Sequence, residues 1–356
     1  MKIGFGLYSH MLNDDYYKMA KQLGATHIVA HLTDYFHQSD TGAEDQPLGN
    51  VNKGWGIAKE SQIWSYEELN TLKIDMGKHG LKLEALENFS PGFWHDVLLD
   101  GPKRDEQISN LKQLIRNMGK AGIPIMGYNF SLAGVAGRTI GPYARGNALS
   151  VGLEGYSEAL QTPIPNGMVW NMVYDANAPS GNMDTISHEE LIKRYRNFVS
   201  EMIPVAEEAG VKLAVHPDDP PLKEVRKQPR LGFHPDHYKE VMKFNNSPNH
   251  VMELCLGTIA EMVDSDVYEA LEYFAKNNKI GYIHIRNIKG KVPDYKESFI
   301  DDGDIDMERI IGILRENNFE GVLIPDHAPQ VTSKAPWDVG MAFAMGYLKA
   351  LVGSVK

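Results

Sequence analysis

The sequence predicts an α/β protein, a closed (β/α)8 TIM barrel with long βα-loop insertions. Three observations predict it. One unit recurs along the chain, an amphipathic charged stretch that ends in Gly or Asn and runs into a short apolar segment. Eight such apolar segments can be counted. Each of the last four carries, at or near its end, a side chain able to bind a metal. Helices alternating with buried apolar strands argue for parallel β/α units.

The repeat is plainest in "MAKQLGATHIVAHL", "DMGKHGLKLEALEN", "NMGKAGIPIMGYNF" and "AEEAGVKLAVHP", and looser in "SPNHVMELCLG", "AKNNKIGYIHIRN" and "RENNFEGVLIPDH". Gly or Asn just past a helix takes the left-handed position there at little steric cost. Short runs apolar on both faces suit strands buried on both sides. In order, the predicted strands are Ile3–Tyr8, His27–Leu32, Leu81–Glu87, Ile123–Phe130, Val211–His216, His250–Leu256, Gly281–Arg286 and Gly321–Asp326. An open doubly wound sheet is the alternative. No Gly-x-Gly-x-x-Gly follows the first strand, which weakens its dinucleotide-binding form.

The 356 residues read as one domain, with no linker or low-complexity tract. Two insertions, Thr33–Trp64 and Ser131–Ile186, follow strands and so fall on the C-terminal face of the barrel, where substrates bind. A hydrophobic content of 42% supplies a sizeable core. The net charge of −11 speaks against a nucleic-acid partner. The single cysteine excludes an intrachain disulfide. No apolar run approaches 18 residues and "MKIGFGLYSHML" lacks a signal-peptide core, so a soluble cytoplasmic protein without a membrane partner is expected. A homo-oligomer is also expected.

His216, Cys255, His284 and Asp326 stand at or near the ends of strands five to eight, at intervals of roughly 40, 30 and 40 residues. That is about one β/α unit each, so adjacent strands bring the four together. Alone, each has a plain explanation: a buried thiol, a hydrogen-bonded imidazole, a helix cap. One per successive unit points instead to a metal site. Imidazole, thiolate and carboxylate suit Mn2+, Fe2+, Co2+ or Zn2+ better than Mg2+ or Ca2+.

The segments "AVHPDDPP", "CLGT", "HIRN", "GDIDM" and "IPDH" resemble the mannonate dehydratase family, a metal-dependent barrel group related to xylose isomerase. "KAGIPIMGYNF" and, more loosely, "EALENFSPGFWHD" resemble its fourth and third strand segments. The resemblance runs in patches from the first strand to Asp326 and is strongest from Pro204 onward. It implies that the same four residues bind metal, Mn2+ first. It also implies dehydration of D-mannonate to 2-keto-3-deoxy-D-gluconate, or of a related aldonate or uronate. The chain departs from the family at Ile300, where a histidine is usual, and at Ala328 and Pro329, where Gly-Arg is usual. "KAPWDVGMAF" replaces a tyrosine-containing segment.

Eliminating water from a sugar acid needs a base for the C2 proton and an acid for the C3 hydroxyl. His327 is expected as either. Asp218 and Asp219 are expected to repel one another and push one carboxyl upward, as an acid requires. Arg286, two residues beyond His284 on the same strand face, is expected to clamp the substrate carboxylate. Tyr128 and Asn129 are candidates for the sugar hydroxyls, and Arg138 and Arg145, with Tyr143, for a lid. Two other functions stay open. A sugar isomerase or epimerase would use further acids such as Glu87, and a non-catalytic carbohydrate-binding barrel would hold a closed structural metal.

Overall fold

The computed structural model describes residues 1–38, 54–59 and 62–353. Eight parallel strands close into a barrel. They are β1 (Lys2–Leu7), β2 (His27–Ala30), β3 (Lys82–Glu87), β4 (Ile125–Tyr128), β5 (Lys212–Val215), β6 (His250–Cys255), β7 (Ile280–Ile285) and β8 (Val322–Pro325). All eight fall within a residue or two of the predicted runs. The pairing of Lys2 with Val322 and Ile3 with Leu323 joins β1 to β8 and excludes the open sheet.

Local chemistry explains the alternation. Ser65 and Glu68 form a reciprocal capping box that starts the helix Tyr66–Lys78. The helices Arg104–Ala121 and His188–Ala209 stop at Gly122 and Gly210, both left-handed. Inside the barrel, Val29, Ala85, Ile125, Ala214, Val251, Tyr282, Val322 and Ile324 pack as a plug. A larger apolar cluster fills the space between strands and helices.

The Ser131–Ile186 insertion is ordered rather than a loose lid. Its strands Arg138–Ala144 and Ala148–Glu154 extend an antiparallel sheet with a second hairpin, Asn287–Lys291 and Asp294–Ser298, that follows β7. The sequence reading did not single out that second hairpin. Further along the insertion, Met168–Val169 pairs with Met172–Val173, which in turn pairs with Gly56–Ile57. The rest of the Thr33–Trp64 insertion lies partly outside the described residues, Gly49 included. Among the described residues no helix is long and apolar enough to cross a membrane.

Candidate metal centre and active site

The strand register assembles the site. Cys255, the last residue of β6, sits opposite His284 on β7. His216 and Asp326 lie one residue beyond β5 and β8, and each is still held by its neighbour: His216 N–H donates to the Tyr128 carbonyl at 2.9 Å, and Asp326 N–H to the Ile285 carbonyl at 3.3 Å. The donor atoms of His216, Cys255 and His284 lie within 4.8 Å of one another. Asp326 completes the set, with Oδ1 at 3.6 Å from His284 Nδ1 and Oδ2 at 4.0 Å from Cys255 Sγ.

Three features fit this set to a transition metal. His284 Nδ1 is buried and makes no hydrogen bond among the described residues. His216 Nδ1 donates to the Pro217 carbonyl at 2.5 Å, which leaves Nε2 as the ligand atom. Burial alone would raise the Cys255 thiol, yet the Arg286 charge and the adjoining His216 and His284 imidazoles hold it well below the ordinary range, so a thiolate is available. Behind the centre, His284 Nε2 contacts Glu87 Oε2 at 3.1 Å and Glu253 Oε1 at 3.2 Å. Glu87, Glu253 and His284 form a second cluster with metal-ligand spacing. Burial and the Glu87 charge push the Glu253 carboxyl up, whereas His31 and His284 outweigh burial and push Glu87 down. Of the two acids on the buried side of His284, Glu253 therefore holds its proton more tightly than Glu87.

The pocket above the ligands is lined by His216, His284, Asp326, His327, Asp218, Asp219, Asn129 and Arg138 among others. His327 Nδ1 donates to Glu297 Oε1 at 2.8 Å. Burial works against the imidazolium, but Asp326 and Glu297 outweigh it and raise the His327 pKa. Glu297 comes from the hairpin after β7, and no short motif around it marked it in the sequence. The side chain of Arg138 is 5% exposed, with Nη1 at 3.8 Å from Asp219 and 3.7 Å from Glu297. Its Nε and Nη1 are buried without a hydrogen bond among the described residues. Asn129 donates to Asn88 Oδ1 at 2.9 Å.

Several predicted residues lie elsewhere or are engaged otherwise. Arg286 does not line the pocket. Its Nη1 donates to Glu261 at 2.6 Å and its Nη2 to Asp219 at 2.9 Å, so its fork is used up by buried protein carboxylates. Two residues of strand spacing did place it on the His284 side, but the helix residue Glu261 and the loop residue Asp219 reach it first. Tyr128 is wholly buried on the helix side of β4, where its hydroxyl meets Tyr195 at 3.0 Å; Tyr195 in turn meets His250 Nε2 at 3.0 Å. Arg145 is half exposed and pairs with Asp301 at 3.0 Å, away from the pocket. Tyr143 reaches Glu154 at 3.2 Å at the surface.

The expected carboxyl pair also differs. The Asp219 pKa is lowered, because Arg286 and Arg138 outweigh burial. Asp218 accepts from Gly232 N–H at 3.2 Å and the Tyr238 hydroxyl at 3.3 Å, and lies 3.5 Å from Arg230. The two acids therefore face separate cations rather than one another. Of the family departures, Ile300 is packed in the core, and Ala328 borders a neighbouring cleft with His327 and Trp337.

With this geometry in hand, comparison with known proteins is specific. The D-mannonate dehydratase (UxuA) family profile matches residues 49–140 and 158–355, well over half of the chain. A mannonate dehydratase of Geobacillus thermodenitrificans is 28% identical over 289 residues, covering 76% of this chain and 77% of the relative. That of Streptococcus pneumoniae is 30% identical over 285 residues, covering 76% of each. The crystal structure of mannonate dehydratase from Streptococcus suis serotype 2 superposes with a TM-score of 0.77 and 26% identity, covering 99% of this chain and 93% of that one. The strand-end ligand pattern, the closed barrel and these matches agree that the chain belongs to the D-mannonate dehydratase family.

Proposed function

We propose that this protein is a hydro-lyase that converts D-mannonate, or a closely related aldonate or uronate, to the 2-keto-3-deoxy acid and water. The observation that carries this reading is the meeting of His216, Cys255, His284 and Asp326, three of which line one pocket with His327, the partner of Glu297. Those four residues would hold a divalent transition ion, Mn2+ first and Fe2+, Co2+ or Zn2+ as alternatives. Such an ion supplies Lewis acidity that offsets the negative charge developing as the C2 proton leaves.

The chain's own groups do the rest. His327, oriented through Nδ1 by Glu297, exchanges protons with the substrate at its other nitrogen. The C3 hydroxyl leaves as water when it takes up a proton, so the proton donated there balances the one removed from C2. Arg138 offers the substrate carboxylate a buried guanidinium with two nitrogens unbonded. Asn129 meets a substrate hydroxyl. Asp219 holds Arg286 and lies near Arg138, and so positions the cationic side of the pocket.

The isomerase reading loses ground because Glu87 is engaged by His284 and by the Tyr282 hydroxyl at 3.2 Å, below the ligand set rather than at the mouth. The test is incubation of metal-reconstituted protein with D-mannonate and a panel of aldonates and uronates. A 2-keto-3-deoxy product, detected by periodate–thiobarbiturate colour and loss of one water by mass, is expected, and exhaustive chelation should abolish it. Interconversion of aldoses and ketoses without that product would transfer the assignment to isomerisation.

A further inference from the structure

The pocket has a second wall that the dehydration chemistry does not use. Tyr8, Tyr35, Trp55 and Trp170 line it together with His31. These residues follow β1, β2 and β4 or come from the segment 54–59, whereas the metal-binding set stands on β5 to β8. The barrel order puts the two groups on opposite halves of the ring. The rings are packed edge to face: Trp55 and Trp170 at 5.1 Å, Tyr35 and Trp55 at 5.5 Å, Tyr35 and Trp170 at 5.6 Å, Tyr8 and Tyr35 at 6.1 Å.

Two features separate this wall from ordinary core packing. Trp170 (φ 49°) and Asn171 (φ 57°) form the two-residue turn between Met168–Val169 and Met172–Val173, both in the left-handed region. That turn favours Asn-Gly, and a bulky residue in its first position is strained. The strain is held by surrounding bonds. Trp170 N–H donates to the Leu132 carbonyl at 2.7 Å, Trp55 N–H donates to the Asn171 carbonyl at 2.7 Å, and the Asn171 amide donates to the Val135 carbonyl. Gly54 leaves room for this contact, since a Cβ there would collide with the Asn171 carbonyl oxygen. The second feature is the Trp55 indole N–H, which is buried and has no hydrogen-bond partner among the described residues. A donor left unmet in a pocket wall is costly unless a ligand meets it. Strain retained at a large side chain beside a pocket likewise points to a use there.

We propose that this wall is the subsite for the non-reacting end of the substrate, the carbons beyond C3 of a sugar acid. It stacks on the C–H face of that polyol chain and gives one hydrogen bond, from Trp55 Nε1 to a hydroxyl oxygen. Aromatic faces carry partial negative charge and meet C–H groups favourably. This selects acids long enough to reach across the barrel mouth from the metal-binding half. The inference rests on the dehydratase reading above for the orientation of the substrate.

The test compares D-mannonate with a four-carbon aldonate of matching C2 and C3 configuration, in Trp55→Phe and Trp170→Gly holoenzymes. Trp55→Phe keeps a ring and removes the donor. It should raise KM for D-mannonate roughly threefold to tenfold. Trp170→Gly removes the ring and suits the left-handed turn. It should lower kcat/KM for D-mannonate by tenfold or more. Neither variant should change kinetics on the four-carbon acid, metal content or far-UV circular dichroism. Equal losses on both acids, or no loss on either, would assign the wall to packing alone and overturn the subsite. If the wild-type protein dehydrates no aldonate, the activity reading fails by itself. Calorimetric titration with the same two acids then decides the subsite: an affinity contrast by chain length that Trp55→Phe erases supports it, and no contrast overturns it.

Discussion

At the scale of single residues, the proposed proton exchange rests on Glu297 and His327. The 2.8 Å bond fixes the imidazole tautomer and turns its other nitrogen to the Asp326 side. Glu297→Gln should therefore lower kcat by about 10²-fold with metal content unchanged, since oriented acid–base catalysis is worth roughly 10²–10⁴. Steady-state kinetics beside elemental analysis checks it, and loss of metal instead would make Glu297 part of the metal support. The two arginines should separate cleanly. Arg138→Lys keeps charge but loses the planar fork, so KM for the acid substrate should rise about tenfold at constant metal content. Arg286→Met removes the cation that Glu261 meets and leaves Asp219 with Arg138 alone, and breaking such a buried pair costs about 3–5 kcal/mol. Urea denaturation should report that loss; an intact midpoint with a raised KM would restore Arg286 as a substrate clamp.

At the scale of elements, β4 and β7 show how strand packing supports the metal ligands. Gly127 on β4 leaves space that Tyr282 and Glu253 occupy; a Cβ there would run into the Tyr282 hydroxyl and a Glu253 oxygen. Both groups lie close to His284. Gly127→Ala should destabilise the fold by about 1–3 kcal/mol, the usual cost of overpacking a full interior. It should also weaken metal binding, because the displaced Glu253 and Tyr282 back the His284 ring. Thermal unfolding with and without added Mn2+ measures both effects, and an unchanged metal-dependent shift in Tm would disconnect the two groups from the centre.

For the whole molecule, two of the histidines that burial keeps neutral contribute to the response to acid. Burial lowers His27 to about 4 and His250 to about 4, from an unfolded value near 6.5. Between those values the unfolded chain binds more protons than the folded one, so stability rises with pH there. The contribution is complete above about 6.5 and shrinks as pH falls toward 4. His250 accepts from Tyr195 at Nε2 and reaches the Asn245 carbonyl from Nδ1 at 3.2 Å, so protonation disrupts the Tyr128–Tyr195–His250 chain under β4 and β6. The urea midpoint should fall between pH 6.5 and 4, and fall less steeply in His250→Gln. Parallel slopes in the two proteins would remove His250 from the account.

The periodic signals were local, and they were legible without coordinates. Helical stretches closed by Gly24, Gly80, Gly122 and Gly210, and the apolar runs that follow them, are properties of a few adjacent residues, and with the looser Asn-containing units they place seven of the eight strands. The ligand set was legible for a related reason: the barrel repeats one unit, so His216, Cys255, His284 and Asp326 recur at one phase of that repeat. What escaped the sequence depends on who reaches whom across the mouth. Arg286 has the right strand phase for a substrate clamp, but Glu261 and Asp219 meet it first. Tyr128 ends a strand but turns outward, because alternate residues of a strand face opposite sides. Glu297, Trp55 and Trp170 lie in segments without periodicity, and only the sheet that joins the insertion to the hairpin after β7, and the turn locked against Gly54, bring them to the site. Sequence determined the barrel and its candidate metal-binding pole, since both follow from short-range repetition. Tertiary structure decided the meeting of His327 with Glu297, the burial of Arg138 beside the pocket and the aromatic wall, since each is a contact between residues far apart in the chain.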